Sequence, residues 1–147
     1  MKAKAWLESA RNLDDPFDRF SRLWRGFSNL YDRDVRASQR QRIDRHVTES
    51  LDESDARILL AETASAVDFL VERPVIDVRG NGHDTSEQCA QFRDTQSSVE
   101  KLSAIMLIAY SVRCNLEHGQ KSPDRKRDRA LCHNAAIIVE KYLTQIL

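Results

Sequence analysis

A chain of 147 residues can bury one sizeable core without disulfides or a structural metal, and it is short for two domains. Four Gly and three Pro provide too few turn signals for a sandwich or barrel of many short strands, so the composition points to helices. With 41% hydrophobic and 31% charged residues, and no apolar run near ~18 residues, the chain reads as soluble and globular rather than disordered or membrane-spanning. Its 23 basic side chains balance 23 acidic ones, which excludes a global basic field; contact with nucleic acid has to be local. The basic set is 17 Arg to 6 Lys, and Arg is the side chain that grips phosphate or carboxylate with two parallel bonds. Cys89, Cys114 and Cys132 are odd in number, far apart and without a C-x-x-C pair, against a disulfide framework or zinc ribbon. The opening MKAKAWLESARNLDD has no apolar core of signal-peptide length, so a reducing cytoplasm is the expected compartment.

Residues 1–14 read as an arm or a short helix. A helix then starts near Asp15, with Asp14 or Asp15 as its cap and Pro16 in its first turn. Phe17, Phe20, Trp24, Phe27 and Tyr31 step along it by three or four, an aromatic stripe that reads as a core face. The charged stretch 32–45 is either a solvated helix or a connection. From Ser54 the pattern Leu60, Ala64, Val67, Val71 predicts a second helix that Pro74 stops. PVIDVRGNGHDT, with two of the four glycines, reads as a loop with a short extended piece at 75–78. Another helix is predicted near Ser86, followed by one through SSVEKLSAIMLIAYSVRCNLEHG whose centre, 104–110, is apolar almost all round. Such a helix is either the central rod of a bundle or is covered on one face by a second subunit. Gly119 is its natural C-cap, QKSPDRKRDR reads as a basic loop, and Leu131, Ala135, Ile138, Tyr142 and Ile146 mark a last helix. The expected architecture is a single-domain, all-α antiparallel bundle of four to five helices over residues 1–147.

No Gly-rich phosphate loop, H-E-x-x-H, G-x-S-x-G or acidic calcium loop occurs in the chain. One region remains: Arg113, Asn115, Glu117 and His118 close the apolar helix just before Gly119 and the basic loop. As pure spacing, the same residues describe a helix end, with His favoured by the macrodipole, Gly as C-cap and a solvated Asn. Cys114, His118, Cys132 and His133 follow no zinc spacing, and no cofactor or metal is expected. His46, His83 and His133 read as solvated or core residues.

The run SVRCNLEHGQKSPDRKRDRALCHNAAIIVEKYL resembles the C-terminal half of HEPN domains. Their defining motif is an Arg, four to six residues, then a His. Arg113 and His118 fit it, Asn115, Leu116, Gly119 and Lys121 match the form R-x-N-L-x-H-G-x-K, and Arg127-Asp128 lies where many members carry R-D. The first aromatic helix is similar to the W-x-x-F-N-x-x-Y helix of some subfamilies through Trp24, Phe27 and Tyr31. Ser28 replaces the usual Asn there, and Cys114 stands where many active members have a polar side chain.

The resemblance implies metal-independent cleavage of RNA by 2′-hydroxyl attack, in a toxin or abortive-infection effector. His118 would transfer a proton to or from the ribose 2′-oxygen or the leaving 5′-oxygen, and Arg113 would hold the phosphate as charge builds on it. Asn115 would orient His118 or donate to the phosphate, and Lys121, Arg125, Lys126 and Arg127 would extend the RNA contact along the basic clusters 33–45 and 121–129. Asp34, Asp44, Asp124 and Asp128 interrupt these clusters, which otherwise read as solvated, ion-paired faces. Residues five apart on a helix differ by about 140° in direction, so Arg113 and His118 of one chain diverge. The resemblance answers this with a homodimer whose motif helices face one another across a cleft, and it also admits an antitoxin or other partner protein. The competing reading is a non-catalytic HEPN module that binds RNA, a nucleotide or a protein; the blandest is a structural helical bundle.

Overall fold

The structure is a computed structural model that describes residues 2–31, 36–118 and 126–147. Eight helices account for most of these residues: α1 (Lys2–Arg11), α2 (Pro16–Tyr31), α3 (Gln39–Ser50), α4 (Glu53–Glu62), α5 (Ala64–Glu72), α6 (Ser86–Asp94), α7 (Ser98–His118) and α8 (Lys126–Ile146). The fold is an all-α bundle, as composition predicts, but with eight helices among the described residues where the periodicity alone yields four to five. Among those residues, no helix is long and apolar enough to cross a membrane.

The extra helices have local causes. Residues 2–11 form α1, which packs on α2 through buried Ala3, Leu7 and Ala10. The charged stretch becomes α3 because Ser38 and Gln41 form a reciprocal capping box at its start, each side chain bonding the other's backbone N–H. Ile43 and Val47 give it a narrow buried stripe. The expected 54–73 helix is two helices, broken at Thr63. There both the backbone N–H and Oγ1 donate to the Leu59 carbonyl, 3.1 and 2.8 Å away, a back-bonded Thr arrangement that bends helices. Arg73 then takes the extended conformation that a following proline imposes, and α5 ends. At the other end α8 begins at Lys126, so the basic residues 126–129 are helical rather than part of a loop; Asp128 sits in the first turn, where a carboxylate complements the helix dipole.

The aromatic stripe of α2 is core. Phe20, Trp24, Phe27 and Tyr31 are buried, and Trp24 and Phe27 meet edge to face at 5.1 Å between centroids. Asp15 caps this helix through its Oδ2, which accepts from the Asp18 N–H at 3.1 Å.

The centre of the bundle is α7. Leu102, Ala104, Ile105, Met106, Ile108 and Ala109 are fully buried, and α7 touches α2, α3, α4, α5, α6 and α8. Ser103, equally buried, donates from Oγ to the Asp44 carboxylate of α3 at 2.5 Å. The Glu53 carboxylate of α4 caps the start of α7, accepting from the Ser98 N–H at 2.6 Å. Most of the apolar girth of 104–110 is thus used inside one chain, while Leu107 and Tyr110 stay partly exposed.

Gly26 lets α1 cross α2 closely: a Cβ there would lie 3.2 Å from both the Ala3 carbonyl oxygen and the Trp6 Cβ. Gly26→Val should destabilise the protein by about 1 to 3 kcal/mol through overpacking. A thermal melt checks this, and an unchanged midpoint would mean that α1 is not docked as described.

Candidate functional site

The motif residues fall in the last turns of α7, where the helix leaves the core. His118 and Glu117 are exposed, Arg113 is 26% exposed, and Arg113 Nη2 pairs with Glu117 Oε1 at 2.7 Å. A solvent-exposed pair at i, i+4 contributes only about 0.3 to 0.5 kcal/mol, so a phosphate can take the guanidinium from Glu117 at little cost.

Asn115 is placed otherwise than its spacing predicts. It is buried, and its amide faces the segment 73–85. Oδ1 accepts from the Val78 N–H at 3.1 Å, and Nδ2 donates to the Ile76 carbonyl at 2.9 Å. With each end of the amide bonded once by backbone, Asn115 is a buried anchor rather than a solvated side chain. It holds a loop.

That loop is a short hairpin-like excursion, not a sheet. Ile76 and Asp84 form an isolated antiparallel bridge, Asp77 N–H donates to the His83 carbonyl at 2.9 Å, and Gly80 and Gly82 take positive φ values of 71° and 79° at the tip. Thr85 Oγ1 accepts from the Val75 N–H at 2.8 Å and closes its base. Arg127 is the second anchor. It donates from Nη2 to the Arg73 carbonyl at 3.2 Å and lies over the Phe69 ring, and burial together with neighbouring Arg73 lowers its pKa. The structure therefore gives Arg127 a scaffolding task. Lys126 is exposed at the start of α8, while Lys121 and Arg125, the other two expected RNA contacts, and the predicted cap Gly119 lie outside the described residues.

The loop, α3 and α7 enclose a polar cleft of about 220 Å³. Tyr110, Ser111, Cys114 and Asn115 form its α7 wall, Asp77, Arg79, His83 and Asp84 come from the loop, and Arg40 from α3. On α7, His118 lies four residues beyond Cys114 and seven beyond Ser111, so it continues the cleft-facing row by one turn. Arg113 lies beside that row, close enough for its charge to act on the Tyr110 phenol.

The cleft's electrostatics have clear causes. The Arg79 side chain forks onto Asp77, with Nη2 to Oδ2 at 2.8 Å and Nε to Oδ1 at 3.1 Å, and the Arg79 backbone N–H adds a third bond. These hold the Asp77 carboxyl far below the usual carboxylate range and raise Arg79 in turn. Asp84 is lowered by its bonds to Ser86. Burial raises the Tyr110 phenol, as does its hydrogen bond with the Cys114 thiol, against the pull of Arg40 and Arg113. Arg40 stacks over the Tyr110 ring at 5.4 Å and has no carboxylate partner among the described residues.

On the far side of the loop a wider groove of about 670 Å³ is bordered by Ile76, Val78, Leu131 and Arg127, and Asn115 borders both. Among the described residues no three His, Cys, Asp or Glu side chains converge as metal ligands. His46, on the core side of α3, bonds Tyr142 Oη through Nδ1 at 2.7 Å and is a satisfied core histidine.

Sequence reasoning included Arg40 in the basic cluster 33–45 without singling it out, and it missed Arg79 and Tyr110 as cleft residues. The paired glycines mark the turn that carries Arg79, but nothing in the sequence says that this turn folds onto α7. In comparison with known proteins, no family model, curated protein or solved structure matches the chain.

Removing the Asn115 amide leaves the Val78 N–H and the Ile76 carbonyl without their partner, at a cost of about 1 to 3 kcal/mol. Asn115→Ala should therefore lower the melting temperature and speed amide exchange at Val78 and its neighbours. Unchanged exchange there would show that Arg127 and Thr85 hold the loop by themselves.

Proposed function

We propose that the chain is a HEPN-type, metal-independent endoribonuclease, a toxin or abortive-infection effector acting on RNA in the cytoplasm. The observation that carries this reading is the setting of the R-x4-H pair. Arg113 and His118 lie at the open end of a helix that is otherwise buried, and His118 continues the row that faces a polar, arginine-lined cleft. Arginine stays charged at any working pH and offers a planar fork to a phosphate, so Arg113 binds the scissile group and stabilises the charge that grows on its oxygens. His118, accessible to substrate, moves the proton of the 2′-hydroxyl or of the leaving 5′-oxygen. The 2′-oxygen attacks phosphorus, the bond to the 5′-oxygen breaks, and the products are a 2′,3′-cyclic phosphate and a 5′-hydroxyl. Asn115 supports this site by holding the loop, not by touching substrate.

Purified protein should cleave RNA in the presence of EDTA and leave 2′,3′-cyclic phosphate ends. His118→Ala should lose about 10² to 10⁴ in rate while keeping RNA affinity, and Arg113→Ala should lose both rate and affinity. Neither side chain fills core volume, so both variants should melt within a few degrees of the parent. Cleavage that chelator abolishes and magnesium restores would overturn the mechanism. RNA bound but never cleaved by a folded protein would leave a non-catalytic binding module.

The divergence of Arg113 and His118 within one helix is answered in this reading by a homodimer, in which the Arg of one copy and the His of the other share a phosphate. Mixing Arg113→Ala with His118→Ala protein should then restore part of the cleavage that each lacks alone. No restoration after subunit exchange would confine the site to one chain. Ile108 is a poor probe of such an interface, because it is fully buried within the monomer.

A further inference from the structure

We infer that the cleft between α3, the 73–85 loop and α7 is a second phosphate subsite, in which Arg40 and Arg79 hold an RNA phosphate about two helical turns along α7 from His118. This rests on the ribonuclease reading and adds a substrate-positioning role to residues outside the R-x4-H motif.

The placing of donors is the first argument. Of the two cleft carboxylates, Asp77 is paired with Arg79 and bonded by the Asn81 amide at 3.1 Å, and Asp84 is bonded by the Ser86 N–H at 3.0 Å. Two guanidiniums thus face two carboxylates, and an anion is held by directed bonds rather than by net charge. Arg40 makes no ion pair with a described residue, and the Tyr110 face sets its position on the wall. Arg79 is held by Asp77 through Nε and Nη2, so its Nη1 group is pre-organised and still has donors to offer. A guanidinium on each of two facing elements suits a tetrahedral anion.

Size is the second argument. Drug-sized ligands and cofactors occupy pockets of about 300 to 1,000 Å³, and a cleft of about 220 Å³ is smaller than that. It accommodates a phosphate with part of its sugar, not a whole dinucleotide. Direction is the third. Tyr110, whose ring seats Arg40, lies eight residues before His118 on α7, about 12 Å along the helix axis, so the cleft and His118 are about two turns apart on one wall. A strand with one phosphate between Arg40 and Arg79 thus presents a phosphate further along its backbone to His118.

The test uses Arg40→Gln, which breaks no hydrogen bond of the loop, and the double variant Arg40→Gln/Arg79→Gln. Binding of an uncleavable 2′-O-methyl oligoribonucleotide is measured against salt, beside steady-state cleavage of the unmodified RNA. The double variant should bind about tenfold more weakly, and its slope of log K against log salt should fall by about 0.7 for one lost single-strand phosphate contact. KM should rise with kcat kept within about twofold. If the parent cleaves RNA and both variants keep its KM and salt slope, the subsite is wrong and the ribonuclease reading stands. If the parent binds RNA in this arginine-dependent way without cleaving it, the subsite stands and the enzyme reading falls. A folded parent that neither binds nor cleaves RNA overturns both.

Discussion

The packing of α7 among six other helices is the constraint on which the rest of this structure depends. A helix in contact with six others has its axial position and rotation set by packing, because interiors as dense as crystals leave no room for a slide or a turn. A fully buried polar side chain of α7, Ser103, is tied to Asp44 of α3, which adds a directional bond to otherwise non-directional packing. The consequence is felt at the exposed end. Arg113 and His118 belong to the last turns of a helix whose preceding turns cannot move, so two solvent-accessible side chains have a rigid base. A reacting constellation held to within a fraction of an ångström needs that kind of support.

The loop that completes the cleft is held differently. Val75 at its base joins the core, but beyond it the loop buries little apolar surface, and Ile76 at its edge is 69% exposed. Its position comes from polar groups: the Asn115 amide on one flank, Arg127 at its base and Thr85 between its two arms. Backbone groups away from water need partners, and here side chains supply what a neighbouring strand would supply in a sheet. The arrangement joins the loop to the C-terminal part of α7, so the two walls of the cleft are linked through one buried residue.

The arginines of this chain divide by partner. Arg19 and Arg11 pair with Glu140, and Arg129 with Asp15, joining α1 and α2 to α8. Arg127 and Arg79 serve the loop. At the cleft and its rim, among the described residues, Arg40 makes no ion pair, Arg113 pairs with an exposed Glu117, and Arg79 is held by Asp77 through Nε and Nη2. A chain with no net charge can in this way gather guanidinium donors in one place while carboxylates balance their charge.

Much of the fold was legible because its signals are local. The aromatic stripe of α2, the Asp15 cap, the stop before Pro74 and the all-round apolarity of α7 each depend on residues within a turn or two of one another, and each took the expected place. The break at Thr63 is local as well, yet it depends on which of two hydrogen bonds a threonine hydroxyl makes, and periodicity does not register that. The sequence by itself determined an all-helical chain, its central helix and the position of Arg113 and His118 at that helix's end. Tertiary structure alone decided what surrounds them. Asn115 meets Val78 across 37 positions of chain, and Arg40 meets Tyr110 from another helix, contacts that arise from packing many elements together. Short-range pattern has no term for such separations, so the loop wall of the cleft, and with it the task of Asn115, emerged only when the helices were assembled.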